Sequence, residues 1–185
     1  MDVSLFKRSL GLTLIELLVT LAVSSIVLTY ATPEVRTLFK INQNAVIINS
    51  LVADLAYTRS EAIKRLHDVV ICKSADGQIC NNKSDWQDGW IIYVDEVKRD
   101  KQRGPDEALL KVQQALGNNI KIRFTSFNSK NRVVYRPSGA ADYSNGTFRF
   151  CTNNEQYHKD LILSRTGRTY LKVNPGLIFR KSNMC

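Results

Sequence analysis

The chain has 185 residues, 44% of them hydrophobic and 23% charged, with a formal net charge of +9 and a pI near 9.5. That length allows one membrane segment plus one globular domain of about 120–150 residues, enough for a single core. The four cysteines form no CxxC and the two histidines stand at no metal-like spacing, which argues against a zinc site. The basic excess suits an anionic partner such as nucleic acid, lipid headgroups or an acidic protein, but is also common without one.

Lys7 and Arg8 precede an apolar run, 12–31, whose only charge is Glu16. As a helix, such a run rises about 30 Å, enough to cross the hydrocarbon core. The cations before it keep residues 1–11 in the cytoplasm and send the rest outward. A secretory signal would end in a small-residue cleavage site after a shorter apolar core. Here the break suited to cleavage, Gly11, comes before the run, so a cut there discards the basic leader and keeps the helix. A carboxylate near a bilayer centre costs about 2.5–3.5 kcal/mol, so Glu16 needs a partner. After a cut at Gly11 the new amine of Leu12 stands four residues before Glu16, on the same helical face. In a helical bundle a neighbour's amine would neutralise it equally well, and the charge would then set register between subunits.

Lys7-Arg8-Ser9-Leu10-Gly11 followed by Leu12-Thr13-Leu14-Ile15-Glu16-Leu17-Leu18-Val19 resembles the class III signal of type IV pilins and type II secretion pseudopilins. The resemblance implies cleavage after Gly11 by prepilin peptidase, N-methylation of the new terminus and Glu16 as the assembly glutamate. Leu12 stands where that family usually has Phe. Pro33 falls where pilins bend their first helix, and a proline within a helix deletes one hydrogen bond and kinks the axis.

Beyond Pro33 the helical period continues. Val35, Leu38, Phe39, Ala45, Ile48, Leu51, Val52, Leu55, Ala56, Ala62, Ile63 and Leu66 recur at three- and four-residue steps, with charged and amide residues on the other faces. One helix over 12–66 would be about 80 Å long, with His67 as its C-terminal cap. From residue 69 the pattern changes to short runs with strand character: 69–73, 89–95, 109–114, 121–125, 132–136, 146–152, 160–163, and 171–173 with 177–180. Asp76-Gly77, Pro137-Ser138-Gly139, Asn145-Gly146 and Asn174-Pro175-Gly176 mark turns. The stretch 95–107 is so charged that it reads as a solvated loop. Trp86 and Trp90 read as sheet-packing residues, and Arg136-Pro137-Ser138-Gly139 as a turn rather than a phosphate loop.

An even cysteine count behind a membrane-targeting segment points to disulfides made outside the cytoplasm. Cys72, Cys80, Cys151 and Cys185 allow three pairings. The geometrically easy one joins Cys72 to Cys80 across a short loop and Cys151 to Cys185.

Arg59-Ser-Glu-Ala-Ile-Lys-Arg65, Val70-Ile-Cys72, Trp86-Gln-Asp-Gly-Trp90-Ile-Ile-Tyr-Val-Asp95, Tyr135-Arg-Pro-Ser-Gly139 and Gly146-Thr-Phe-Arg-Phe-Cys151 resemble the GspH/FimT pseudopilin domain. The expected fold is α+β: a long, kinked N-terminal helix, membrane-spanning in its first half, packed on antiparallel sheet. The expected divisions are a cleaved leader at 1–11, an assembly helix at 12–31, its periplasmic continuation at 32–67 and a β-rich domain at 68–185. The resemblance implies a single-pass protein of the inner membrane that later enters a pilus or pseudopilus fibre. Other pilins and prepilin peptidase would be its partners.

No GxSxG, HExxH or paired carboxylate suggests an enzyme, and no cofactor is implied. His158 falls in a polar loop. Residues 161–185 hold Arg165, Arg168, Lys172, Arg180 and Lys181 and no acid. Guanidiniums on a turn can contact successive phosphates, and an exposed tyrosine can stack on a base. In FimT-like pilins that bind DNA during natural transformation, a Gly-Arg-any-Arg motif lies near the C-terminus. Gly167-Arg168-Thr169 is similar, with Tyr170 in the fourth position and Arg165 close by. The alternative is a solvated basic edge that resists aggregation.

Overall fold

A computed structural model describes residues 13–96, 103–117, 120–127, 129–141, 143–152 and 159–173, apart from the side chains of 30–41, 152 and 173. The first element is α1, Leu14–Arg65, assigned without interruption through Pro33. It begins where Thr13 caps it: Thr13 Oγ1 accepts the Glu16 N–H at 3.3 Å and Thr13 O accepts the Leu17 N–H at 3.2 Å. It ends where Leu66 turns into the left-handed region, φ +57°, and His67 sets Nδ1 2.8 Å from Arg65 O. Lys64 and Arg65 place positive charge against the carbonyl end of the helix dipole.

The chain divides into two compact units, one up to Asn44 and one from Ala45 on. In the first, Leu14, Leu17, Leu18, Leu21 and Ile26 are each more than half exposed, and every described side chain from 13 to 29 is exposed. Its hydroxyls return to the helix's own carbonyls, Thr20 to Leu17, Ser25 to Ala22 and Thr29 to Ser25, at 2.8–2.9 Å. This arrangement suits an apolar surrounding, because no hydroxyl in that set depends on water. Among the described residues no helix is long and apolar enough to cross a membrane. The expected span, 12–31, runs past the described side chains at both ends.

The second unit holds the last turns of α1 and two four-stranded antiparallel sheets. One has the order β3-β2-β1-β5, built from β1 Asp68–Lys73, β2 Trp90–Asp95, β3 Leu109–Gln113 and β5 Arg132–Tyr135. The other has the order β4-β6-β7-β8, from β4 Ile120–Ser126, β6 Gly146–Thr152, β7 Lys159–Leu163 and β8 Thr169–Val173. Nearly continuous apolar runs in β1 and β2 match their burial on both faces, whereas β4 alternates buried and exposed. Ile48, Leu51, Leu55 and Ala62 of α1 join the inner faces of both sheets in one core. Trp86, in the short 3-10 helix η1 (Trp86–Asp88), packs edge-on against Phe148 with ring centroids 5.0 Å apart. A smaller cluster, Val70, Cys72, Cys80, Ile91 and Tyr93, covers the other side of the first sheet.

Strand 109–113 ends one residue before its expected limit, and the expected strand at 177–180 lies outside the described residues. The loop expected to be solvated over 95–107 is not so at its described end. Glu107 is buried, its carboxylate accepts the Gly104 N–H at 2.8 Å, and Arg103 Nε donates to its carbonyl at 3.0 Å. Charge density marks a loop as polar, but a carboxylate that folds back on a turn N–H can still be buried.

Candidate functional site: the leading helix and the basic hairpin

Glu16 is the third residue of the first turn of α1, exposed, with its own N–H held by Thr13. A carboxylate there meets the positive end of the helix dipole, a local stabilisation that the apolar context alone does not reveal. Gly11 and Leu12, the expected cleavage pair, lie outside the described residues, as does the side chain of Pro33.

β7 and β8 form a hairpin over the turn 164–168. Ser164 organises it. Ser164 N donates to Arg168 O at 2.9 Å, Ser164 Oγ accepts the Arg168 N–H at 3.2 Å, and Gly167 N donates to Ser164 O at 3.0 Å. Gly167 has φ +77°, and a Cβ there would sit 2.0 Å from Gly139 O and 3.1 Å from Tyr135 Cε1. The tip of the hairpin therefore closes against the 136–141 turn, where Ala141 N also donates to Arg165 O at 3.0 Å. That turn in turn rests on α1, with Arg59 Nε donating to Gly139 O at 3.0 Å and Ile63 beneath Gly139. Gly167, expected as part of an anion-binding motif, has a packing task of its own.

Arg165, Arg168, Tyr170 and Lys172 are exposed on this hairpin. Strand alternation puts Tyr170 and Lys172 on one side of β8, about 7 Å apart along the strand, and Arg168 ends the turn just before it. The register extends that side across the whole sheet, pairing Arg123 with Arg149, Arg149 with Asp160, and Asp160 with Lys172 in one transverse row. The acid in that row, Asp160, is held by Arg149 Nε at 3.2 Å. Arg180 and Lys181 lie outside the described residues.

Cys72 is joined to Cys80. Cys151 is also disulfide-bonded, and its expected partner Cys185 lies outside the described residues.

Asp54 is a residue that the sequence reading leaves unassigned. It is 1% exposed, accepts Trp90 Nε1 at 2.8 Å and pairs with Lys111, tying α1 to β2 and β3. The available signal was its three-residue step from Leu51, which puts it on the packed stripe. Glu61 closes the same helix with Arg65 at 2.8 Å, and that hydrogen bond holds its carboxyl below the usual range.

The described residues thus form a leading helix with exposed apolar side chains and a helix-backed pair of antiparallel sheets. The family model described as type II transport protein GspH matches residues 48–167, and the prokaryotic N-terminal methylation motif matches 6–32. The chain belongs to the GspH family, whose members are structural subunits rather than enzymes. No curated protein matches the sequence. Among solved structures, the type IV minor pilin FimU of Pseudomonas aeruginosa is similar, with 21% identity and a TM-score of 0.55 over 71% of this chain and 90% of that one. The minor pseudopilin EpsH of the Vibrio cholerae type 2 secretion system aligns with 12% identity and a TM-score of 0.48, over 72% of this chain and 97% of that one. We draw the shared fold from the first of these.

Proposed function

We propose that the chain is a minor type IV pilin, incorporated into a pilus fibre and helping to initiate it. In this reading residues 1–11 are a leader removed by prepilin peptidase, 12–31 the membrane and assembly helix, 32–67 its periplasmic continuation and 68–185 the globular domain. The observation that carries it is the described run 13–29, exposed on every face and apolar but for Glu16 and its hydroxyl residues, of which Thr20, Ser25 and Thr29 donate to the helix's own carbonyls. Such a surface is stable only in lipid or against like helices. The subunit sits in the inner membrane until extraction into the helical bundle of the fibre, where Glu16 meets an N-terminal amine. Glu16→Ala should abolish incorporation into sheared fibres and leave leader removal intact; normal incorporation would overturn this role. The alternative machine is the type II secretion pseudopilus, and a deletion strain that keeps its surface fibres but loses secretion would select it.

A second role is supported by the hairpin. Arg165, Arg168 and Lys172 are exposed beside Tyr170, a set able to hold DNA phosphates and stack a base during natural transformation. An electrophoretic shift series on the detergent-solubilised chain should show binding that falls steeply with salt and weakens on Arg165→Ala or Arg168→Ala. Binding indifferent to both would remove this role.

A further inference from the structure

Strand alternation sends Val69, Ile71 and Lys73 of β1 to one side, and Val69 and Ile71 are fully buried in the main core. Lys73 follows them inward and is 7% exposed. A lysine at such a position gives up much of its hydration. Among the described residues its ammonium makes no hydrogen bond and no ion pair. Burial pulls its pKa below the ordinary lysine value, against the opposing field of Asp85 and Asp88.

Lys73 lines a cavity of about 390 Å³ where the end of β1 meets η1 and β4, the edge strand of the second sheet. Trp86 forms part of its wall, and the exposed Lys121, Arg123 and Lys130 also line it. The acid in the lining is Asp85, whose Oδ2 already accepts Gln87 Nε2 at 3.1 Å. Four basic residues thus line the cleft beside Asp85, with the charge of Asp88 also reaching Lys73.

We propose that this cleft binds a phosphoryl group, with Lys73 as its buried cation and Lys121, Arg123 and Lys130 closing around the oxygens. A carboxylate offers a single charge, whereas a phosphate dianion presents several oxygens to separate donors and suits a guanidinium in particular. The phosphoryl group comes either from a free phosphate-bearing molecule or from a nucleic-acid strand lying along β4. On that strand Lys121 and Arg123 stand two residues apart, about 7 Å.

The full chain in detergent can be titrated with pyrophosphate and with a short oligothymidylate, using calorimetry and the fluorescence of the tryptophans, since Trp86 lines the cleft. Lys73→Met should weaken binding about tenfold or more without lowering the unfolding midpoint, and Lys73→Arg should retain most of it. The double variant Lys121→Ala with Arg123→Ala, at exposed positions, should weaken it as well. Loss confined to pyrophosphate assigns a small ligand, and loss that extends to the oligonucleotide assigns a nucleic-acid strand; either supports the site. Titration unaffected by Lys73→Met, no binding of either probe, or succinate binding as tightly with the same dependence on Lys73 would overturn it. Arg165 and Arg168 variants should leave the pyrophosphate titration unchanged, so this site stands or falls apart from the hairpin.

Discussion

A Cβ added at Gly167 would come 3.1 Å from Tyr135 Cε1, at the seam between the hairpin tip and the first sheet, and each of these residues is fixed by what surrounds one atom. At Gly167 a methyl group would meet a backbone oxygen that cannot step aside, at a positive φ. Gly167→Ala should therefore cost at least about 2 kcal/mol in thermal unfolding. Gly117→Ala, also at positive φ but with nothing within 4 Å of the added carbon, should cost about 1 kcal/mol. Equal losses would refute the contact. The Tyr135 hydroxyl is buried without a hydrogen-bond partner among the described residues. Burial pushes its pKa well above 10.0, with the Arg59 charge pulling the other way. Because the folded pKa is the higher one, stability linked to this group is complete below pH about 10 and is lost as the pH rises beyond it. Tyr135→Phe should be neutral or stabilising by about 1 kcal/mol at pH 7 and should lessen the alkaline loss. A variant that unfolds more easily at pH 7 would show that the hydroxyl has a partner.

At the scale of elements, much was legible. The helix expected over 12–66 is described from Leu14 and ends at Arg65, one residue short of the expected limit. The alternation of β4, and the apolar runs of β1 and β2, show as strands because side-chain period and burial coincide. Partnership was less legible. That β5 leaves β4 to pair with β1, while β4 pairs with β6, is set by long-range packing that no local pattern records. Asp54 escaped for the same reason, since its partners Trp90 and Lys111 are distant in sequence. Lys73 closes an expected strand, yet only the packing of two sheets reveals that it faces inward. Asp54→Ala leaves the Trp90 indole N–H unpaired in the core, while the half-exposed Lys111 can turn to water, so we expect a loss of about 1–3 kcal/mol in denaturant unfolding. A loss below about 0.5 kcal/mol, the level of an ordinary surface pair, would mean that the network is incidental.

For the whole molecule, family membership and fold agree on a structural subunit, and its surfaces divide the work. The leading helix offers apolar side chains to lipid or to neighbouring helices, while one side of the second sheet carries the basic row. The proposed fibre role requires that the basic leader be lost and the helix kept. The intact mass of the protein extracted from membranes of cells with a working prepilin peptidase tests this most directly. We expect a chain that begins at Leu12, with or without one methyl group. A mass that still includes residues 1–11 would contradict the assembly role assigned to Glu16 and, with it, the fibre.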